Sequence, residues 1–508
     1  MQYILHVLDL LFGNDCSRPG AWPQATRYDS SGVSLMYAAW VRREGGRILA
    51  GGLAVAALAA VAPSSAHADA SADLRVESYV LPAGAAKPSL KQLQTGERRE
   101  ELRRLAQQAE PEAQLAQETV GPAASYAPLS RRASTAPKDS EENSPVGVGP
   151  MATAPEPARA MTFEECKKGL GSDKKFYVKS RFAVCNGASF LQTWIVNNRP
   201  VGESMFSVRV VGTIAKNSRT INFQYYFTDF ETTGTTGAAA MPITTKGSIP
   251  QSWPARVNYT WGGDMPGTKT FTQLQALRTF KQTVNAAPGQ GSSGSTDLVF
   301  AVYEPEISYT PPAPWKLGGD RGGKLFMLAP RWDAAKYLAN STGGGNPAKK
   351  GAATFSYLPT LTYSAKQGAE ERAVAQHIKT AFTKPEDTKP YMSAKKVPGQ
   401  SVKDPLHRTV DGTRRKENRK AAVKQCKRHW GDGYSNGGTR ECDEYPFAAT
   451  YEGAAEPDYD PDAKKFNFSV RPIPKDDNGA GGNILLSFYA KNRLIDGMED
   501  GFVVKIVS

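Results

Sequence analysis

The chain has 508 residues, 40% of them hydrophobic, with 47 glycines and 35 prolines. That length allows two or three domains, and that composition argues against one continuous body without linkers. The formal net charge of +13 favours anionic partners, such as nucleic acid or cell-wall polymer, without choosing between them.

Residues 41 to 68 carry the marks of a secretory signal. Arg42, Arg43 and Arg47 precede an apolar run from Ile48 to Val61, and Ala66-His67-Ala68 is a cleavage motif before Asp69. The run is too short for a comfortable membrane span, so no stable membrane insertion is expected. Residues 1 to 40 fit no part of a signal; initiation at Val41, or an unusually long leading region, would account for them. Residues 69 to 160 are rich in Ala, Pro, Glu, Gln and Ser and poor in aromatics, which predicts a disordered linker or pro-segment. One helix is expected within it, over 97 to 110, ended by Pro111.

Residues 161 to 366 read as an all-β, sandwich-like domain. Phe206, Val208 and Val210 alternate with Ser207 and Arg209, and Phe223, Tyr225 and Phe227 with Gln224 and Tyr226. Similar runs at 257–261, 298–303, 324–328 and 354–363 are separated by Gly, Ser, Thr and Pro clusters, as in an antiparallel sandwich. Trp194, Trp253, Trp261, Trp315 and Trp332 could form a platform for a wall or matrix polymer; core rings are the simpler reading.

Residues 367 to 508 read as a small α+β domain. A helix is expected over 369–382, with Val374, Ile378 and Phe382 on one buried stripe and His377 beside it as a packing residue. A second is expected over 412–428, with Asp411 as N-cap, an apolar stripe of Ala422, Val423, Cys426 and Trp430, and its arginines on the surface. A strand through Phe466, Phe468 and Val470, a turn over 475–479, a helix over 483–492 and a closing strand over 502–507 complete it. Residues 401–440 hold 11 Lys and Arg against 4 Asp and Glu, whereas 441–508 hold 7 against 13. Cations to hold phosphates beside carboxylates to hold a metal is one reading of that division; two halves that attract each other is another.

Of the cysteines, Cys16 precedes the cleavage motif. Cys166 and Cys185 lie close together, as do Cys426 and Cys442, without C-x-x-C spacing. In an exported protein the natural pairing is Cys166–Cys185 and Cys426–Cys442, with cross-pairing between the two regions as the competitor.

The most specific stretch is Cys442-Asp443-Glu444-Tyr445-Pro446-Phe447-Ala448, followed by Tyr451-Glu452-Gly453. Upstream stand Pro405-Leu406-His407-Arg408 and the basic run from Arg414 to Arg419. Downstream stand Val470-Arg471-Pro472-Ile473-Pro474, Asp477-Asn478-Gly479 and Leu494-Ile495-Asp496-Gly497. This ordered set resembles the NucA/NucB family of secreted bacterial deoxyribonucleases, over roughly the last quarter of the chain. Tyr445 stands where some family members carry Trp, and Ala449 where some carry Cys.

The resemblance implies an extracellular, divalent-metal-dependent endonuclease that cuts DNA with little sequence preference, the metal being Mg or Mn. It points to Asp443 as general base, with Glu444 and Glu452 close to the metal and Asn478 a further metal or phosphate contact. Asp443 could also reach the metal. His407 is the alternative base, since imidazole suits neutral pH; His429, at a helix end, has a structural reading. Arg414, Arg415, Arg419, Lys420 and Arg471 are the candidate phosphate contacts, which would give affinity without sequence readout. The competing reading is a wall- or polymer-binding protein whose nuclease-like domain is inactive.

Overall fold

The structure is a computed structural model, and it describes residues 72–85, 89–95, 102, 152–172, 174, 176–291, 297–319, 321–325, 327–341 and 351–508. The expected signal over 41–68 lies outside these residues, as does the helix expected over 97–110 apart from Leu102.

The first part is built from strands β1 (Leu74–Pro82), β2 (Phe176–Ser180), β3 (Ala183–Val196), β4 (Arg199–Ile214), β5 (Ile221–Gly234), β6 (Pro242–Trp253) and β7 (Tyr259–Gly263). They continue as β8 (Gly267–Thr270), β9 (Thr279–Ala286), β10 (Val299–Tyr309), β11 (Lys316–Gly319), β12 (Gly322–Lys324), β13 (Pro330–Asp333) and β14 (Ala352–Phe355). Three short helices, α1 (Leu90–Gln94), α2 (Phe163–Leu170) and α3 (Phe271–Leu277), each start on a Ser or Thr capping box.

Strands β11, β1, β3, β4, β5, β9 and β7 lie in that order, with β2 added on β3, as an eight-stranded sheet. A six-stranded sheet runs β14, β13, β10, β6 and β8, with β12 added on β10. Large rings join the two: Phe223 of β5 stacks on Tyr303 of β10 at 3.6 Å, and Phe190 and Phe206 meet Tyr309 edge-on. Strand β4 shows why alternation alone under-reads such a sheet. Phe206, Val208 and Val210 are core, but Ser207 and Arg209 are buried as well. Their face is covered too: Arg209 donates to the carbonyl of Ala83 and to Asp229, and Cys166 of α2 is bonded to Cys185 of β3.

The segment expected to be linker is not linker throughout. Strand β1 pairs with β3 along its whole length, from Leu74↔Val196 to Pro82↔Ala188. Its apolar residues were diluted by the polar composition around them. The tryptophans form no shared platform, since Trp194 and Trp332 are fully buried and Trp315 packs edge-on against Trp194.

The C-terminal part comprises β15 (Thr360–Ser364), α4 (Arg372–Thr383), β16 (Leu406–His407), α5 (Gly412–Trp430), β17 (Arg440–Tyr445), β18 (Ser469–Pro474), α6 (Lys475–Lys491) and β19 (Gly501–Val507). Strands β15, β19 and β16 form one sheet, and β17 and β18 another. Because β15 pairs in parallel with β19, the C-terminal sheet includes Thr360–Ser364, which lie ahead of the boundary expected at residue 366. Leu361 and Tyr363 are buried with Val374, Ile378 and Phe502 in its core. Helix α6 starts at Lys475, earlier than expected, and the run read as a turn is its first turn. Of its glycines, Gly481 serves close packing: a Cβ there would sit 2.8 Å from Val374 Cγ2.

The two parts meet through buried charge. Asp500 accepts from Arg181 at 2.8 Å and forms an ion pair with Arg331 at 2.6 Å, and Asp333 accepts from Arg493 at 2.8 Å. The described residues, roughly 360 in number, fall within one compact unit. Among the described residues no helix is long and apolar enough to cross a membrane.

Candidate active site

The paired strands β17 and β18 are held between helices. One face carries Cys442 and Val470, which pack with Ala422 and Cys426 of α5. The Cys426–Cys442 disulfide fastens that contact. The other face carries Tyr445 and Ile473, which pack with residues of α4 and α6. Side chains alternate along a strand, so Asp443 lies on the α4 side and Glu444 on the α5 side. Helix α5 is fixed at its start by Asp411, whose carboxylate accepts from the backbone N–H groups of Thr413 and Arg414.

A cavity of about 570 Å³ opens beside β17. Glu441, Asp443 and Glu444 of β17 line it, with Arg415 and Arg419 of α5 and Asn478 of α6. Asp443 is buried, and its Oδ2 lies 2.6 Å from His377 Nδ1. His377 Nε2 lies 2.7 Å from Ser469 Oγ. Asn478 donates its amide N–H to Glu441 at 2.8 Å. Glu444 keeps partial exposure through the cavity, yet burial pushes its pKa up to about 8; Arg419 opposes this, while Asp443 and Glu441 add to it.

The remaining candidates fall elsewhere. Glu452 is paired with His407: Oε1 lies 2.7 Å from the ring Nδ1, and Oε2 accepts the His407 backbone N–H at 3.0 Å. Neither residue lines the cavity. Arg414, expected on the phosphate-facing surface, is 2% exposed. Its guanidinium lies over the rings of Tyr451 and Tyr459 and donates to the carbonyl of Tyr451. It therefore anchors the loop after Ala448 to α5 and is withdrawn from solvent. Lys420 and Arg471 are exposed and lie outside the cavity lining, Arg471 opposite Asp443 in the strand register. Trp430, expected in the apolar stripe of α5, is exposed at the helix end.

Sequence reasoning passed over Glu441, Ser469 and the contact of His377 with Asp443. The available signal was a histidine on the buried side of α4, 66 positions from its partner. The Leu494–Gly497 stretch has a supporting place: Asp496 accepts from the Val410 N–H at 3.0 Å and from the Tyr451 hydroxyl at 3.2 Å, bracing the entry to α5.

No curated protein and no solved structure matches the chain. Residues 394–505, which contain α5, β17, β18 and α6, match the family model for deoxyribonuclease NucA/NucB.

Proposed function

We propose that the protein is an exported endonuclease that hydrolyses DNA phosphodiesters in the cavity beside β17. The observation that carries this is the meeting of Asp443 and Glu444 with Arg415 and Arg419 around one opening, within the region that matches the deoxyribonuclease family. Phosphodiester cleavage needs a base for water, countercharge for the phosphate and help for the leaving oxygen. Asp443 has one oxygen engaged by His377, and its other oxygen is the base that takes the proton from water. Arg415 and Arg419 hold the phosphate and offset its charge. These contacts are to the backbone, so little sequence preference follows.

The donors at the cavity fit a hard cation such as Mg or Mn. Glu444 holds its proton to about pH 8 because burial disfavours its charge, and a bound cation would compensate that charge. Glu444 and the Asn478 carbonyl oxygen are the groups that would hold it. Among the described residues no three His, Cys, Asp or Glu form a metal-holding group. A cation bound here would rest mainly on water and phosphate oxygens, as Mg commonly does. When bound, it would supply Lewis-acid polarisation of the phosphate. Two disulfides fit an oxidising compartment outside the cytoplasm.

The test is incubation of the purified chain with plasmid DNA and Mg or Mn, with and without EDTA, beside Asp443→Asn. Nicked and linear products from the wild type alone, lost in EDTA, are expected. Binding without cleavage by the wild type would sink the enzymatic reading and leave a polymer-binding protein.

A further inference from the structure

We infer that His377 is a positioning residue for the proposed cleavage, holding the Asp443 carboxylate so that one oxygen faces the cavity. The inference deepens the proposed function and rests on it. His377 lies on α4, upstream of residues 394–505, so the family match does not include it. It is 2% exposed and out of reach of substrate. Acting through Asp443 is the route open to it.

The geometry supports that role from both ring nitrogens. Nδ1 stands 2.6 Å from Asp443 Oδ2. Nε2 stands 2.7 Å from Ser469 Oγ, and Ser469 is fully buried on β18. The neutral ring with its proton on Nδ1 satisfies both contacts: it donates to the carboxylate and accepts from the serine hydroxyl. Ser469 thereby fixes which nitrogen faces Asp443. Val374 and Ile378, on the same side of α4, are buried in the C-terminal core and hold the helix in place. A buried carboxylate needs a hydrogen-bond partner, and the His377 ring, 2.6 Å from Asp443 Oδ2, supplies one. A hydrogen bond to one carboxylate oxygen also stops the group rotating, and a base must be held in position to act.

A purely structural pair would lose stability on mutation and leave turnover per folded molecule unchanged. Positioning predicts a different pattern. With plasmid or a defined duplex as substrate, His377→Ala should lower kcat roughly 10- to 100-fold while KM stays within about twofold, since the phosphate contacts are untouched. His377→Asn places an amide N–H near the position of Nδ1 and cannot reach Ser469. It should recover at least about fivefold in kcat over His377→Ala at matched folded fraction, measured by heat unfolding of the same samples. Ser469→Ala leaves the ring but frees its far side, and should lower kcat by about threefold or more with KM unchanged. It carries the test if His377→Ala does not fold.

The wild type and Asp443→Asn are run in the same assay. If the wild type cleaves, Asp443→Asn is dead, and the folded His377 and Ser469 variants keep wild-type kcat, the positioning role is overturned and the proposed function stands. Equal activity of His377→Ala and His377→Asn per folded molecule also overturns it. Full activity of Asp443→Asn overturns the positioning role together with the base role of Asp443, and leaves DNA cleavage itself standing.

Discussion

Replacing Asp500 with Ala tests whether the β-rich part and the nuclease region unfold together. The side chain is fully buried, as are those of Arg181 and Arg331 that hold it. It also accepts the backbone N–H of Ile495 at 3.2 Å. Removing the carboxylate leaves two guanidinium groups buried beside an empty site, and breaking a buried pair in this way costs about 3–5 kcal/mol. With an unfolding entropy of about 2.1 cal/mol/K per residue over a unit of roughly 360 residues, a loss of about 4 kcal/mol lowers the melting temperature by about 5 °C. The pH dependence has a definite sign. Burial alone would raise the Asp500 pKa, but Arg181 and Arg331 outweigh it and hold the carboxyl below its ordinary value. A depressed folded pKa contributes stability that is present above about pH 4 and lost as pH falls through the folded value. The difference between wild type and variant should therefore be full at pH 7 and narrow progressively below pH 4. Differential scanning calorimetry of both proteins across that range makes the measurement. A melting point within 1 °C of wild type at pH 7 would refute the reasoning. So would two resolved wild-type transitions, because the contact would then join bodies that fold separately.

The helix α5 arginines should divide by position. Arg415→Ala with Arg419→Ala should weaken binding to all DNA sequences and reduce the slope of log affinity against log salt by about 2, read by fluorescence anisotropy with Asp443→Asn as background. Arg414→Ala should leave that slope unchanged and cost about 2–4 kcal/mol of stability, since it loses two ring contacts and a buried hydrogen bond. Glu444→Gln should be more stable than wild type in EDTA at high pH. The raised folded pKa of about 8 means the native state binds the extra proton, so wild-type stability falls as pH rises from about 4.5 to about 8. The variant escapes that loss, worth up to about 5 kcal/mol, and melting curves at pH 5 and pH 9 should show the gap open only at pH 9. Cys426→Ser with Cys442→Ser should cost about 3 kcal/mol, because the loop of separation 16 is no longer closed in the unfolded chain. Urea unfolding of oxidised wild type against the double variant measures it.

What the sequence displays clearly is local. Asp411 before a basic run marks the start of α5, and Val374 and Ile378 at a spacing of four mark the buried side of α4, because caps and periodicity are properties of neighbouring residues. The wording around Asp443 and Glu444 is local too, and it led to the right region. Arg414 was misplaced for an instructive reason. Positions 414, 418, 422 and 426 form one buried stripe of α5, but the first two carry Arg and Asn, so the stripe reads as polar until Tyr451, Tyr459 and the carbonyls of Ala448 and Thr450 are seen to meet them. Likewise α6 opens through Gly479, Gly481 and Gly482, whose cost to a helix is accepted where Gly481 lets Val374 approach. Neither fact can be read without the partner element.

The same logic bears on what a family match can delimit. The match begins at residue 394. Several contacts that hold the site come from before it. Tyr363 of β15 donates to the carbonyl of Gly481 at 2.9 Å, and Asp477 accepts the N–H of Ala373 at 2.8 Å, so α6 is fixed from the upstream side. His377 then reaches Asp443 from the helix so placed. The loop from Asn492 to Asp500 is in turn gripped by Arg181 and Arg331 of the β-rich part. Asp496, within that loop, supports the start of α5 through Val410 and meets Tyr451. The cavity thus has two supports outside the matched residues, one through α4 and one through the buried arginines. Loosening the second should disturb α5 and its phosphate-facing arginines before it disturbs Asp443, because Asp443 is held by α4 and β18. In Asp500→Ala the expected kinetic signature is accordingly a rise in KM that exceeds the fall in kcat, opposite to that of His377→Ala. A fall in kcat alone would mean that the β-rich part supports the base rather than the phosphate contacts.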